Sequence, residues 1–409
     1  MRFFIAVAWR NLWRNKRRSL ITAVAMAFGV AMSMATVAFN DGMFEQVFEV
    51  MVEQQLGHVQ VHHPEYPAKR VQHDTLEDGN ALLTAIEAQP DTRAASPRLN
   101  GFGLVGGERR SAGAMLVGID PVREARVSPV ATRLKQGTYL EQPGQILLGQ
   151  QLAEELEVTL GEEIVVVTQA ADGTTGNALF TVSGTYKSGD AQMDRAGAYL
   201  HLDELQDLLV QEDQLHGVTV LANDPDDLNA YAASLTSVFG TPKVQVQTWQ
   251  QASPQTAQMM GMRDIGSAII LGIVFGAAAF GILNTMMMSV FERTRELGVL
   301  RALGIRPGRL VTLIVVESVF LAALASAIGL VLGGLLDAYL VIYGFDMSGA
   351  AEDGFSFQGV TLEPIIYGIV RPSAVVAVIG SVFVVSMLAS LWPALRAARL
   401  RPVEAIRSE

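Results

Sequence analysis

Residues Ile265–Phe291 read IGSAIILGIVFGAAAFGILNTMMMSVF, 27 residues without a charge. At 1.5 Å per residue, a helix of that length covers about 40 Å, more than the roughly 30 Å hydrocarbon core of a bilayer. The next eighteen residues, 292–309, read ERTRELGVLRALGIRPGR and carry five Arg against two Glu. An uncharged run ending on a basic cluster reads as a transmembrane helix whose end is held at the cytoplasmic face. Three further runs have the required length: 19–40, 310–336 (interrupted only by Glu317) and the charge-free 372–395. The expected fold class is therefore a membrane protein with four transmembrane α-helices.

The charges between the spans set the expected orientation. Residues 1–18 hold six basic groups and no acid, and the tail 396–409 holds four Arg against two Glu. By contrast, 41–264 has 14 basic and 31 acidic residues, and 337–371 has one basic and five acidic. Basic and acidic segments alternate at every crossing, which places both termini and 292–309 in the cytoplasm and 41–264 outside. The whole chain carries a net charge of −11, which argues against nucleic acid as a partner. The absence of cysteine rules out disulfides, thiolate metal sites and a cysteine nucleophile.

Residues 1–18 have a pattern of their own. Ile5, Trp9 and Trp13 recur every four residues with Ala8 and Leu12 beside them, while Arg10, Arg14 and Arg17 take another face. That is the pattern of an amphipathic interfacial helix in contact with membrane lipids. A cleaved signal peptide is the weaker alternative, because the apolar run exceeds the usual h-region of roughly 7–15 residues.

The 224-residue outer segment, 41–264, is long enough for a core of its own. Met43, Phe44, Val47, Phe48 and Met51 keep helical spacing up to Gly57, and 249–262 is helical apart from a break at Pro254. These two stretches read as helical stalks continuing the spans, or else as amphipathic helices packed on the domain. Between them the texture is α+β. Strands are expected at 59–63, 101–105, 114–118, 163–168, 179–186, 198–201 and 218–221, and helices at 81–88 and 147–156. His58, His62 and His63 form a cluster with no carboxylate at ligand spacing, so a metal site is not expected. No nucleophile elbow or His-Glu-x-x-His motif occurs, and the chain is read as non-catalytic.

The loop 292–309 is the main functional candidate. As a helix it lines up Leu297, Leu300 and Leu303 on one side, with Glu292, Arg293, Arg295 and Glu296 at its start and Arg301 further on. A short, rigidly tethered, charge-rich amphipathic helix suits docking into a groove of another protein. The chain has no Gly-x-x-x-x-Gly-Lys-Ser/Thr run, so nucleotide chemistry would have to come from a separate subunit.

These features, with AMLVGIDP at 114–121, ILLGQQLA at 146–153, FTVSGT at 180–185, WPALRAA at 392–398 and PVEA at 402–405, resemble the MacB/FtsX-type permeases of ABC transporters. The resemblance is closest to the membrane subunits of lipoprotein-releasing systems and covers essentially the whole chain. It implies a multi-pass protein of the bacterial inner membrane with a periplasmic 41–264, paired with a second permease, identical or not. It also implies a dimer of cytoplasmic ATPases that binds ATP and Mg, with 292–309 as the coupling helix and no cofactor in this chain. Lipoprotein extraction is the implied activity. The alternatives are an efflux component, a regulator of envelope enzymes or, in a different class, a four-span receptor. One permease type of that family captures a periplasmic carrier with a longer loop. The corresponding stretch here, 169–178, is short, polar and glycine-rich, which counts against direct carrier capture by this chain and leaves a periplasmic carrier or a lipoprotein open as its partner.

Three intramembrane features remain open. The pairs Gly272/Gly276 and Gly329/Gly333 fit close helix approach, either between two chains or within one. Glu317, about two turns into its span, is read as structural, pairing with Arg309 or snorkelling, with a functional role as the alternative.

Overall fold

The computed structural model describes residues 2–14, 16–66, 71–225, 227–349, 355–357 and 360–399. The side chains of Ile5 and Leu12 and the stretch 402–405 lie outside the described residues. The chain divides into two compact units, one of 1–44, 262–347 and 365–409, the other of 45–261 and 348–364.

In the first unit, four helices are long and apolar enough to cross a membrane, and they belong to Lys16–Phe48, Pro254–Glu292, Pro307–Tyr343 and Pro372–Ala398. All four run past the apolar segments that define them in the sequence. Three of them open on a proline, where the missing N–H has no helical acceptor to lose. The first, third and fourth spans bury Met26, Val30, Leu321, Ala325, Val378 and Val382 together with Phe275 and Ile282 of the second. The second span leaves Ile265, Ile269, Ile273 and Phe280 exposed. A separate helix, Arg2–Arg14, precedes the first span. Its Trp9 packs edge-on against Trp13 and against Phe320 of the third span, with centroids 5.8 and 5.6 Å away.

The second unit is an α+β domain built on one ten-stranded sheet. Its strands are β1 (Val59–His62), β2 (Thr92–Gly106), β3 (Ser111–Ile119), β4 (Leu134–Gly137), β5 (Gln145–Gly149), β6 (Glu163–Gln169), β7 (Thr175–Tyr186), β8 (Gly197–His201), β9 (Gly217–Ala222) and β10 (Gln245–Thr248). The order is β10-β1-β9-β2-β3-β8-β5-β7-β4, with β6 joining β2 to β7. All pairings are antiparallel except β3–β8 and β5–β7. The long β2 pairs with β9 along its first half, with β3 from Arg98 onward and with β6 at its end. Alternation decides which face is buried. Ile164, Val166 and Thr168 of β6 point into the core while Glu163, Val165 and Gln169 point out.

One expectation is corrected here. The segment 147–156 is not a single helix, because β5 runs to Gly149 and a helix occupies only Gln150–Leu156. Ile146, Leu147 and Leu148 are fully buried in succession because β5 lies between β7 and β8 with both faces covered. Such an unbroken apolar run has no period of two to distinguish it from a helix. Gly149 makes the corner, where a Cβ would sit 2.5 Å from the Asp194 carbonyl oxygen.

The stretch up to Gly57 is helical, with its last turns, Glu49–Leu56, wound as a π-helix. At the end of the domain a four-residue helix, Trp249–Ala252, ends at Ser253, and the long helix begins at Pro254. Beyond Tyr343, Phe345–Asp346 pairs with Ile365–Ile366.

Candidate coupling site

The second span helix ends at Glu292, and Arg293, with φ −109° and ψ 13°, separates it from the loop helix Thr294–Ala302. Gly304 turns the chain at φ +87°, a left-handed value that glycine adopts without strain. The third span starts at Pro307. The loop is therefore one short helix held by a break at each end.

The structure divides the three leucines placed together by the sequence. Leu297 is buried against Val290, Leu310, Ile314, Ala394 and Ala397, and Leu300 is half-buried beside it. Leu303 is 76% exposed, and Val299 is the other large apolar side chain facing out. The leucine side is thus mainly the helix's attachment to the ends of the spans, because an i, i+3 row facing a helix bundle is drawn into it by apolar burial. The outward surface consists of Glu292, Arg295, Glu296, Val299 and Leu303, with Arg301 half-buried.

Ion pairs fix the start of the loop. Arg293 Nη1 donates to Glu317 Oε2 at 3.1 Å and its Nε to Glu296 Oε2 at 3.3 Å. Glu317, 8% exposed, is therefore held by Arg293 and not by Arg309, because the break after Glu292 turns Arg293 back toward the third span. Arg14 of the N-terminal helix donates to Glu296 Oε1 at 2.9 Å. Partial burial pulls Glu296 upward, but hydrogen bonds from Arg14 and Arg293 outweigh it and hold its carboxyl below the ordinary value. Neither Arg14 nor Val299 was identifiable in the sequence as part of this site. Their placement depends on how the N-terminal helix packs and on which side of the loop helix the bundle covers.

The two glycine pairs also separate. A Cβ on Gly329 would lie 2.6 Å from Val30 Cβ and 3.0 Å from the Ala27 oxygen, and one on Gly333 would lie 2.8 Å from Met34 Sδ. This pair lets the first and third spans of one chain approach closely. A Cβ on Gly272 or Gly276 would meet nothing within 4 Å among the described residues beyond its own helix. Gly329→Val is expected to destabilise the chain by about 1–3 kcal/mol through overpacking. Gly272→Val in the isolated chain should leave the thermal unfolding midpoint unchanged, and equal losses for both variants would contradict this assignment.

His58 and His62 make hydrogen bonds within the sheet. His58 Nδ1 accepts from the Ala222 N–H at 3.1 Å, and His62 contacts the His63 carbonyl and the Gln247 side chain. Among the described residues no three His, Cys, Asp or Glu side chains are grouped to hold a metal.

Residues 19–238 match the MacB-like periplasmic core domain, and residues 268–402 match the FtsX-like permease C-terminal domain. The lipoprotein-releasing system transmembrane protein LolC of Xylella fastidiosa is 26% identical, with 99% of this chain and 98% of that protein covered. LolE of Haemophilus influenzae is 23% identical over 99% of each. The macrolide export ATP-binding/permease protein MacB of Hyphomonas neptunium is 26% identical over 99% of this chain and 60% of its own length.

Proposed function

Because the chain belongs to the family of permeases with a MacB-like periplasmic core domain and an FtsX-like C-terminal domain, we propose that it is the non-catalytic membrane subunit of an ABC transporter that releases lipoproteins. Likeness to LolC and LolE along nearly the full length of each supports this substrate class. In this reading the protein sits in the bacterial inner membrane with both termini and 292–309 in the cytoplasm and 41–264 in the periplasm. It pairs with a second permease, and a separate ATPase dimer supplies ATP and Mg chemistry.

One observation carries the coupling role. The helix Thr294–Ala302 is anchored by Leu297 and by Arg293 to the spans, while Val299 and Leu303 face away from them. An apolar pair rimmed by Arg295, Glu296 and Glu292 is a small hot-spot surface on a rigid base. Motion of the ATPase acting on this helix is passed to the third span through the Arg293–Glu317 pair. The helix Arg2–Arg14 lies at the lipid headgroups, its exposed Trp9 and Trp13 anchoring in the interface.

Co-expression with candidate cytoplasmic ATPases tests this. Leu303→Asp should lower the recovered ATPase by about tenfold or more while membrane insertion and thermal stability stay unchanged. Full recovery with that variant would remove the coupling role and favour a four-span receptor. The hairpin turn between β6 and β7, Ala170–Thr174, is tight and polar and closed by the Asp172 side chain, so a carrier protein is assigned to a partner subunit. Macrolide-type efflux is the second reading, favoured by the MacB match over the whole chain. Recovery of a drug-like molecule instead of an acylated protein with the purified complex would select it.

A further inference from the structure

We propose that Asp337 is the second station of a guanidinium exchange within the four-span bundle, in which Arg371 leaves Asp41 for Asp337 while Arg263 closes on Asp41. Asp41, on the first span helix and 3% exposed, accepts from Arg371 through both Nε, at 2.7 Å, and Nη2. Arg263 Nε stands 3.7 Å from the same carboxylate, within ion-pair range but too far for a good hydrogen bond. Asp41 thus has two cations, of which Arg263 also donates to the exposed Asp264 at 3.4 Å. Asp337, on the third span helix and also 3% exposed, has no hydrogen-bond partner for either oxygen.

The connection between the acids is short. Gly368 N donates to the Leu340 carbonyl, one turn beyond Asp337, and Ile369 N donates to the Ala38 carbonyl, one turn before Asp41. The segment 368–371 is therefore wedged between the first and third spans, and Arg371 at its end pairs with Asp41 while lining one cavity with Asp337. A cavity of about 10 Å³, room for one water, is walled by Asp337 and Arg371 together with Met34, Ala38 and Val375. A Cβ on Gly42 would collide with the Tyr367 carbonyl oxygen, so the backbone here is fixed and the long Arg371 side chain, 42% exposed, is the part free to swing.

The pairing in this structure leaves one buried acid bare, and the exchanged pairing leaves none. A buried carboxylate without a cation is costly in a membrane, so a small shift of the third span against the first tips the balance between two discrete arrangements. Asp337 then becomes a positioning residue that reports the relative placement of those spans. The inference rests on the permease reading only for what drives the exchange.

The test uses the full-length chain alone in phospholipid nanodiscs, with D41N, D337N, the double variant and R371Q compared by thermal unfolding. D41N is expected to lower the midpoint only slightly, because Arg371 moves to Asp337. In the D337N background, the same change should cost several degrees more, approaching R371Q. A structure of D41N should show Arg371 within hydrogen-bond distance of Asp337. Additive losses, with Asp337 in D41N holding only a proton or a water, would overturn the exchange. Asn is close in size to Asp, so these variants introduce no steric bar to folding. No ATPase is present, which separates the two readings. If the losses are additive while Leu303→Asp still abolishes complex formation, the exchange fails alone. If the losses are non-additive and no ATPase binds, the permease reading fails alone.

Discussion

Arg293→Ala is expected to lower the stability of the membrane bundle by about 3 kcal/mol, the lower end for removing one member of a buried ion pair. The cost arises because Glu317 stays behind, 8% exposed on the third span and deprived of the guanidinium 3.1 Å away. It stays at the lower end because Glu317 retains a further interaction. Glu317→Gln, by contrast, leaves a neutral amide beside Arg293, which keeps its bond to Glu296, so the loss should be smaller. The double variant should recover most of what Arg293→Ala loses, since the uncompensated charge is gone. Thermal unfolding of the full chain in nanodiscs measures all three, and equal losses for the two single variants would show that the pair does not work as a charge pair. The same substitution frees the start of the loop helix from the third span. Under the proposed coupling role, nucleotide binding by the ATPase should then move the loop without moving the span.

A comparable loss is expected in the outer domain on acidification. His216 is 1% exposed and stacks on Tyr66 at 4.4 Å. Its Nδ1 accepts from the Asn100 N–H at 3.0 Å, and its Nε2 faces the Gln72 carbonyl at 3.1 Å. The neutral ring with hydrogen on Nε2 satisfies both contacts, whereas a second proton on Nδ1 would oppose the Asn100 N–H. Burial pushes the ring down to about 4, against the Gln72 hydrogen bond and the Asp74 charge that pull it up. Burial lowers His58 and His62 as well.

An unfolded histidine takes its proton near pH 6.5 and the folded His216 only near 4, so the unfolded chain holds more protons across that window. Stability is therefore intact above pH 6.5 and falls as pH drops toward 4, with His216 alone costing about 3 kcal/mol. Measured against the intrinsic exchange rate at each pH, the protection factors of β1, β2 and β9 in the full-length chain should fall through this range. His216→Gln should flatten the slope without abolishing it, because His58 and His62 still titrate. Protection that does not vary between pH 7 and 4.5 would contradict this account.

The four spans, the α+β texture of 41–264 and the loop that carries the proposed coupling surface are all local properties of the sequence. Apolar run length and alternation in β6 or β7 are set by residues near one another in the chain, so they can be read without knowing any partner. Matters of partnership could not be read this way. Leu297, Leu300 and Leu303 share a helix side in any model of the loop, but only the packed ends of the third and fourth spans determine that the first is buried and the last is free. Glu317 was legible as an intramembrane acid, whereas its pairing with Arg293 depends on the break that follows Glu292. Of two identical glycine spacings, one packs against the first span and the other faces open space, because helix spacing says nothing about which neighbour covers it. In the sequence Asp337 lies one residue beyond the apolar run 310–336 and Arg371 one before 372–395, where a charge looks like ordinary loop polarity. Only the path of 368–371 between two helices brings them to one cavity, a distance-dependent electrostatic fact that no linear spacing encodes.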